Sequence, residues 1–255
     1  MSKPYQKNID LYGDGIGKVE YVQHMGDDQR VVNAARVSFG KEVNEISPRD
    51  EKLINYLIKH KHSSVLEHCN ITFRFKVPLF IRSQHHRHRT WSYNEISRRY
   101  TDIDMQFYEL NQFRQQSKSN RQASTNQLFN PRLGKVLGAA SEVIKQHHEA
   151  SLFLYEQMIE SGICREQARG VLPQNLYTEY YGTCNLNNLF KFIALRIHEG
   201  AQWEIQEVAK ACLRVALDLF PITTNSFIIN LNNKELKKEM LEHASPPSKV
   251  NLYRY

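Results

Sequence analysis

Asn70–Val77 is the stretch that most narrows what this chain can fold into. Ile71, Phe73, Phe75 and Val77 alternate strictly with Thr72, Arg74 and Lys76, and the two-residue period of a strand places the first set on one face. One face is then apolar and the other polar, the mark of a half-buried antiparallel strand. Pro78 has no N–H to donate, so it ends the strand, and its fixed φ suits the opening of a helix. A helix is predicted from Leu79 to about Arg87, with Phe80 and Ile81 on one side. Three- and four-residue spacing brings Gln84, Arg87 and His88 near one another on it.

The remaining elements are mostly helices. Lys18–His24 reads as a short strand, and Asp27-Asp28 caps a helix through Arg36 with Val31, Val32, Ala34 and Ala35 on its apolar side. Ser47 and Pro48 start another helix, which buries Leu53, Ile54, Leu57 and Ile58. A short strand is expected around Met105–Tyr108, then a flexible polar loop over about 112–134. Lys135–Ser161 is a long amphipathic helix with Val136, Ala140, Val143, Ala150, Phe153, Tyr155 and Met158 inward, closed by Gly162. A shorter helix runs from about Arg165 to Val171, and Leu176–Tyr181 alternates as a strand. Asn185 caps a helix whose inner side holds Leu189, Phe192, Ile193, Leu195 and Arg196, and Gln202–Phe220 is a further amphipathic helix. Ser245–Tyr255 reads as a tail. The elements look mutually dependent, so a single domain over 1–255 is expected.

With 41% hydrophobic and 24% charged residues the chain has the composition of a soluble globular protein. No apolar run reaches membrane-spanning length, and the opening MSKPYQKNID lacks the apolar core of a signal peptide. Cys69, Cys164, Cys184 and Cys212 are scattered without CxxC spacing, as reduced cytoplasmic thiols would be. A net charge of +7 points to anionic partners: nucleic acid, nucleotides or anionic cofactors. No Gly-rich phosphate loop is present, so a dinucleotide would bind without a Rossmann turn.

The charge is concentrated in His85–Tyr100, where Arg87, Arg89, Arg98 and Arg99 sit among His85, His86 and His88. Ser92, Asn94, Glu95 and Ser97 are interleaved, and Trp91, Tyr93 and Tyr100 add flat apolar faces. Arginine forks grip phosphate, and short polar groups can orient a ring. The stretch is predicted to start on the helix and run off its end as a loop. His62 and His68 flank Glu67, but the spacing is not that of a helical zinc motif and no third ligand is evident, so no metal is expected. Arg196 is flanked by apolar residues, and a buried guanidinium needs an anionic or strongly accepting partner, an internal salt bridge being one. Two rival classes use the same residues: a nucleic-acid binder, and a metal-dependent hydrolase built on His62, His68, His85, His86 and His88. The basic cluster is local, not spread along a face, and paired ligand spacing is lacking.

Arg87–Arg99, read RHRTWSYNEISRR, matches the RHRxxSxNxxSxR signature of the flavin-dependent thymidylate synthases at all seven constrained positions. Ala34–Phe39, His62–His68, Ala168-Arg169, Leu172–Tyr177 and Ala201–Ile205 also resemble family segments in the same order, so the likeness spans most of 15–225. It implies an α+β fold, a central antiparallel sheet with packed helices, in a homotetramer whose active sites are shared between subunits. It implies conversion of dUMP to dTMP, with 5,10-methylenetetrahydrofolate as carbon donor and FAD, reduced by NADPH, as hydride source. Neither nucleic acid nor a membrane is an implied partner.

By the same resemblance Gln84, His85, His86, Arg87, Glu95, Ile96, Ser97, Arg98, Arg99, Tyr100, Arg169 and Arg196 would hold or line the nucleotide site. Ser38, His62, Ser64, Arg87, His88, Arg89, Glu95, Asn185, Asn187 and Lys191 would contact the flavin, and His62 and Tyr100 the flavin and folate region. Arg196 matches the arginine assigned to ionising the uracil ring. Ser97 has no local base to activate it and is read as a phosphate ligand, not a nucleophile. No cysteine has the Pro-Cys-His setting of the folate-only synthases. Asn187 stands where relatives often have arginine, Lys191 where asparagine is common, and Gly200 where many carry histidine.

Overall fold

The computed structural model describes residues 8–135 and 137–231, so Val136 and the Ser245–Tyr255 tail lie outside the described residues. In chain order the strands are β1 (Asn8–Asp10), β2 (Lys18–Met25), β3 (Asn70–Pro78), β4 (Ser92–Glu95), β5 (Phe113–Gln116), β6 (Ser124–Phe129), β7 (Arg132–Leu133), β8 (Gly138–Ala139) and β9 (Tyr177–Asn185). The helices are α1 (Asp28–Arg36), α2 (Pro48–Lys59), α3 (Leu79–His85), α4 (Ala140–Glu160), α5 (Arg165–Ala168), α6 (Leu186–Arg196), α7 (Trp203–Leu219) and α8 (Pro221–Asn230). Five strands form an antiparallel sheet in the order β1-β2-β3-β9-β4, giving the expected α+β class. The chain divides into two compact units: 8–22, 72–183 and 199–208 in the first, 23–71, 184–198 and 209–231 in the second.

In the first unit Phe73, Phe75 and Val77 of β3 are buried, as their alternation requires. Thr72, on the polar register, is buried too and hydrogen-bonds Thr183 at 2.9 Å. Three expectations are corrected here. Residues 112–134 are not a structureless loop: β5 and β6 pair antiparallel, Phe113 opposite Phe129 and Arg114 opposite Leu128. The strand expected near Met105–Tyr108 is an isolated bridge from Phe107 to Leu176.

The long helix starts at Ala140, not Lys135, because β7 and β8 form a short ladder first and Pro131 O accepts the Ala140 N–H at 2.8 Å. Its buried stripe is Ala140, His148, Ser151 and Tyr155, which keeps the 3.6-residue period but turns Ala150 and Phe153 outward. Gly162, at φ +83°, does end the helix as predicted. Ile163 N bonds Met158 O and Gly162 N bonds Ile159 O, both at 2.9 Å, satisfying carbonyls the helix leaves open.

The second unit is helical. Asp27 caps α1 by accepting from Arg30 N, and Asn185 caps α6 by accepting from Asn188 N. Leu189, Phe192 and Ile193 are buried on α6, whereas Leu195 is 59% exposed and Arg196 half-buried, so the last turn is not the apolar enclosure the sequence suggested. Helix α8 lies beyond Gln202–Phe220, the last helix expected, and Pro221 occupies its first turn. Buried Asp28 satisfies that helix's start, accepting from Ile222 N and Thr223 N at 2.9 Å each. Phe190 and Phe227 stack with centroids 4.1 Å apart. Among the described residues no helix is long and apolar enough to cross a membrane.

Asp50 is the acceptor that starts α2. Its carboxylate takes the Ser47 N–H at 2.9 Å and the Ser47 hydroxyl at 2.6 Å, and pairs with Arg36. Those bonds, the Ser47 hydroxyl first, hold its pKa below the usual carboxylate value. Folding therefore favours the ionised form, so the stabilisation is complete above about pH 4 and is lost as pH falls through the folded-state pKa. Asp50→Asn is expected to cost about 1–2 kcal/mol at neutral pH and much less near pH 3, read by urea unfolding at both. An equal cost at both would show that the charge is immaterial.

Candidate active site

The basic stretch is built over an aromatic frame in the first unit. Helix α3 ends at His85, whose imidazole turns inward instead of outward and is fully buried. Its Nδ1 lies 2.8 Å from the Tyr180 hydroxyl, and it meets Trp91 and Phe75 edge-on at centroid distances of 4.6 and 4.8 Å. Tyr93 donates its hydroxyl to the carbonyls of His85 and His88, at 3.0 and 3.2 Å, closing the turn between α3 and β4. His86 stacks on Tyr93 at 4.1 Å, and burial, then the nearby Arg82 charge, lowers its pKa.

Two sequence readings change as a result. Trp91 is buried, so it serves the frame and offers no open face to a ligand. The stretch does not run off as a loop, because Ser92–Glu95 pairs with β9 as the edge strand, Ser92 opposite Thr183 and Glu95 opposite Tyr180.

With Trp91 and Tyr93 committed to the frame, most of the guanidinium groups are outside. Arg87, Arg89 and Arg99 are exposed, and Tyr100 is 79% exposed. Arg98 is half-buried, its Nη1 donating to Ile103 O at 2.6 Å and its Nη2 to Asp104 O at 3.4 Å. Arg99 pairs with Glu166 at 3.3 Å. Glu95 accepts from Arg82 Nε at 2.9 Å and from Thr178 Oγ1 at 2.6 Å. Ser97 O accepts the Tyr100 N–H at 2.9 Å, forming the turn that carries both arginines. Glu95, Ile96 and Arg98 border a cavity of about 400 Å³ with Arg74, Lys76 and Tyr181 of the sheet face. Arg74, which pairs with Glu179, and Arg82 were not singled out from sequence. For Arg74 the signal was there: it is a polar position of the alternating strand. Gln84, half-buried, donates to Gln202, and Arg169 is exposed beyond α5.

The other predicted residues lie in the second unit. Ser38 and Ser64 are exposed, and the Ser38 hydroxyl donates to Ala35 O at 3.1 Å. His62 is exposed and stacks on Tyr56, centroids 6.0 Å apart. The Asn185 side chain is engaged in capping α6, and Asn187 is buried with its amide on Glu67 Oε1 at 3.0 Å. Lys191 is exposed and Arg196 closes the helix. Among the described residues no three His, Cys, Asp or Glu side chains gather as a metal site.

Residues 20–222, which contain this whole constellation, match the family model described as thymidylate synthase complementing protein. A flavin-dependent thymidylate synthase of Thermus thermophilus is 40% identical over 211 residues, 83% of this chain and 75% of that protein. One of Thermotoga neapolitana is 38% identical over 226 residues, 88% of this chain and 96% of that one. The chain belongs to the flavin-dependent thymidylate synthase family.

This member of the family is therefore an enzyme. Among solved structures it resembles a UMP/dUMP methylase, PolB of Streptomyces cacaoi, determined with 5-Br dUMP: TM-score 0.71, 31% identity, 87% of this chain and 97% of that one.

The frame has one tight point. Gly182 of β9 lies opposite Tyr93, and a Cβ there would come within 2.8 Å of Phe75 Cε2 and 3.3 Å of Trp91 Cε3. Neither ring can retreat without disturbing His85. Gly182→Ala is expected to lower stability by about 1–3 kcal/mol in urea unfolding and to weaken anion binding at the arginines. Unchanged stability would mean the rings are not close-packed.

Proposed function

We propose that this enzyme methylates dUMP to dTMP, taking the carbon from 5,10-methylenetetrahydrofolate and the reducing equivalents from NADPH through FAD. The observation that carries the reading is a difference between neighbouring arginines. Arg82 and Arg99 have internal carboxylate partners, while among the described residues Arg87 and Arg89, exposed on a rigid turn, form no ion pair. Cations held in place without an internal counter-charge are suited to an external anion. A nucleotide phosphate and a flavin pyrophosphate are two such anions, and the donor set fits both.

Arg87, His88 and Arg89, with Ser38, His62, Ser64, Lys191 and the α6 start at Asn185 and Asn187, would hold FAD. Bound FAD supplies the redox chemistry that side chains cannot. Gln84, His86, Arg87, Glu95, Ile96, Ser97, Arg98, Arg99, Tyr100 and Arg169 would seat dUMP, with His85 supporting them from beneath. Ser97 and the arginines bind phosphate, and Tyr100, exposed, offers a ring to stack on. Methylation needs C5 of uracil to become nucleophilic, so negative charge grows on the ring amide. Arg196 would stabilise that charge as N3 loses its proton, a role in which one donor contributes about 3–4 kcal/mol.

No enzyme nucleophile is needed. Burial raises the Cys69 thiol to about 12 and pushes Cys184 and Cys212 up as well, away from the reactive thiolate. Such reduced thiols suit the cytoplasm. A homotetramer with shared active sites is part of the same proposal.

Purified full-length protein is expected to be yellow or to become so with FAD, and dUMP is expected to raise its melting temperature. Folded protein that refuses FAD and ignores dUMP would end the reading. Arg196→Ala is expected to keep measurable dUMP binding while dTMP formation falls about 100- to 1,000-fold. Full turnover in that variant would make the arginine structural.

A further inference from the structure

Behind Gln84 stands a line of polar groups that ligand binding alone does not require. Gln84 Nε2 donates to Gln202 Oε1 at 2.6 Å, and Gln202 Nε2 donates to Glu204 Oε2 at 2.9 Å. Glu204 is buried, and its other oxygen accepts from Arg114 Nη2 at 2.6 Å and from the Tyr108 hydroxyl at 3.2 Å. Arg114 lies on β5, 5.2 Å over the Trp203 ring, and its Nε donates to Ser124 Oγ of β6 at 3.2 Å. All of these residues lie in the first unit.

The order of these bonds has a directional consequence. An amide has two ends of nearly equal size, one donating and one accepting, so only its partners decide which way it points. Glu204, paired with a guanidinium, offers acceptors only. Gln202 must therefore turn its NH2 toward Glu204 and its carbonyl toward Gln84. Gln84 in turn must give an N–H of its amide to Gln202, which fixes the orientation of that amide.

We propose that Gln202 and Glu204 are positioning residues: a carboxylate-anchored amide relay that holds the Gln84 amide in one orientation, with Arg114 tying hairpin β5–β6 to the same carboxylate. This rests on the reading that Gln84 contacts dUMP, and it goes further by naming what holds that side chain in place. It also gives the hairpin a role, since Arg114 is one of the groups that keep Glu204 in place.

The test is a double-mutant cycle on the full chain saturated with FAD, reading dUMP affinity by calorimetry and melting temperature without dUMP. Gln84→Met and Gln202→Met are each expected to raise the dUMP Kd about tenfold. The double variant should be no weaker than Gln84→Met alone, because the second change acts only through the first. A general loosening of the fold would instead multiply the two losses and lower the melting temperature further.

An unchanged Kd in Gln202→Met, or a double variant about a hundredfold weaker than wild type, would overturn the relay while leaving Gln84 at the site. An unchanged Kd in Gln84→Met would overturn the relay together with the placement of Gln84. Should Gln202→Met not fold, Gln202→Leu is read the same way. Glu204→Gln provides a second readout: an amide there no longer imposes a direction, so it too should weaken dUMP only where Gln84 is present.

Discussion

The inward turn of the His85 imidazole sets the geometry of the basic segment. One hydrogen bond to Tyr180 and edge-on contacts with Phe75 and Trp91 fix the end of α3. Tyr93 then ties the following turn to the same helix end through two carbonyls. Once histidine and aromatic rings occupy the interior, the arginines between them face outward on a backbone that cannot drift. Preorganisation of this kind matters for anion binding, because donors already in position need no reorganisation when charge arrives. The frame relies on Gly182 to let β9 approach the rings closely.

The parts of the fold legible in sequence were those where one physical signal acts alone. β3 showed itself by alternation, α2 by Ser47-Pro48 and the end of α4 by Gly162, each through local chemistry that tertiary context did not override. The failures came where two signals compete. Residues 113–129 are polar on both faces, so the hairpin has no apolar register to reveal it, although backbone pairing forms it. Phe153 and Leu195 are apolar but exposed: hydrophobicity reports a preference for burial, not which surface provides it. Pro221 signals both a stop and a start, and only the buried Asp28 beneath α8 decides between them.

For the candidate site, residue types were legible and their division of labour was not. Trp91 and Tyr93 look like stacking platforms in a basic segment, yet the first is buried and the second holds two carbonyls. Arg82 and Arg74 lie outside the signature, and their carboxylate partners, Glu95 and Glu179, are 13 and 105 positions away. Such pairings are properties of the sheet and cannot be read from spacing.

The carboxylates explain why a basic chain presents its positive charge where it does. Asp28 and Asp50 serve helix starts, Glu95 holds Arg82, and Glu204 holds Arg114. Each is wholly or largely withdrawn from solvent and engaged by donors, and for a buried carboxylate paired with arginine, such as Glu204 with Arg114, removing the partner costs several kcal/mol (about 3–5). These acids are therefore not available to neutralise Arg87 or Arg89. The net charge of +7 is set by composition, 34 Lys and Arg against 27 Asp and Glu, and the placement of the carboxylates decides only where that charge goes unopposed. Among the described residues Arg87 and Arg89 form no ion pair, which leaves their charge open to an external anion.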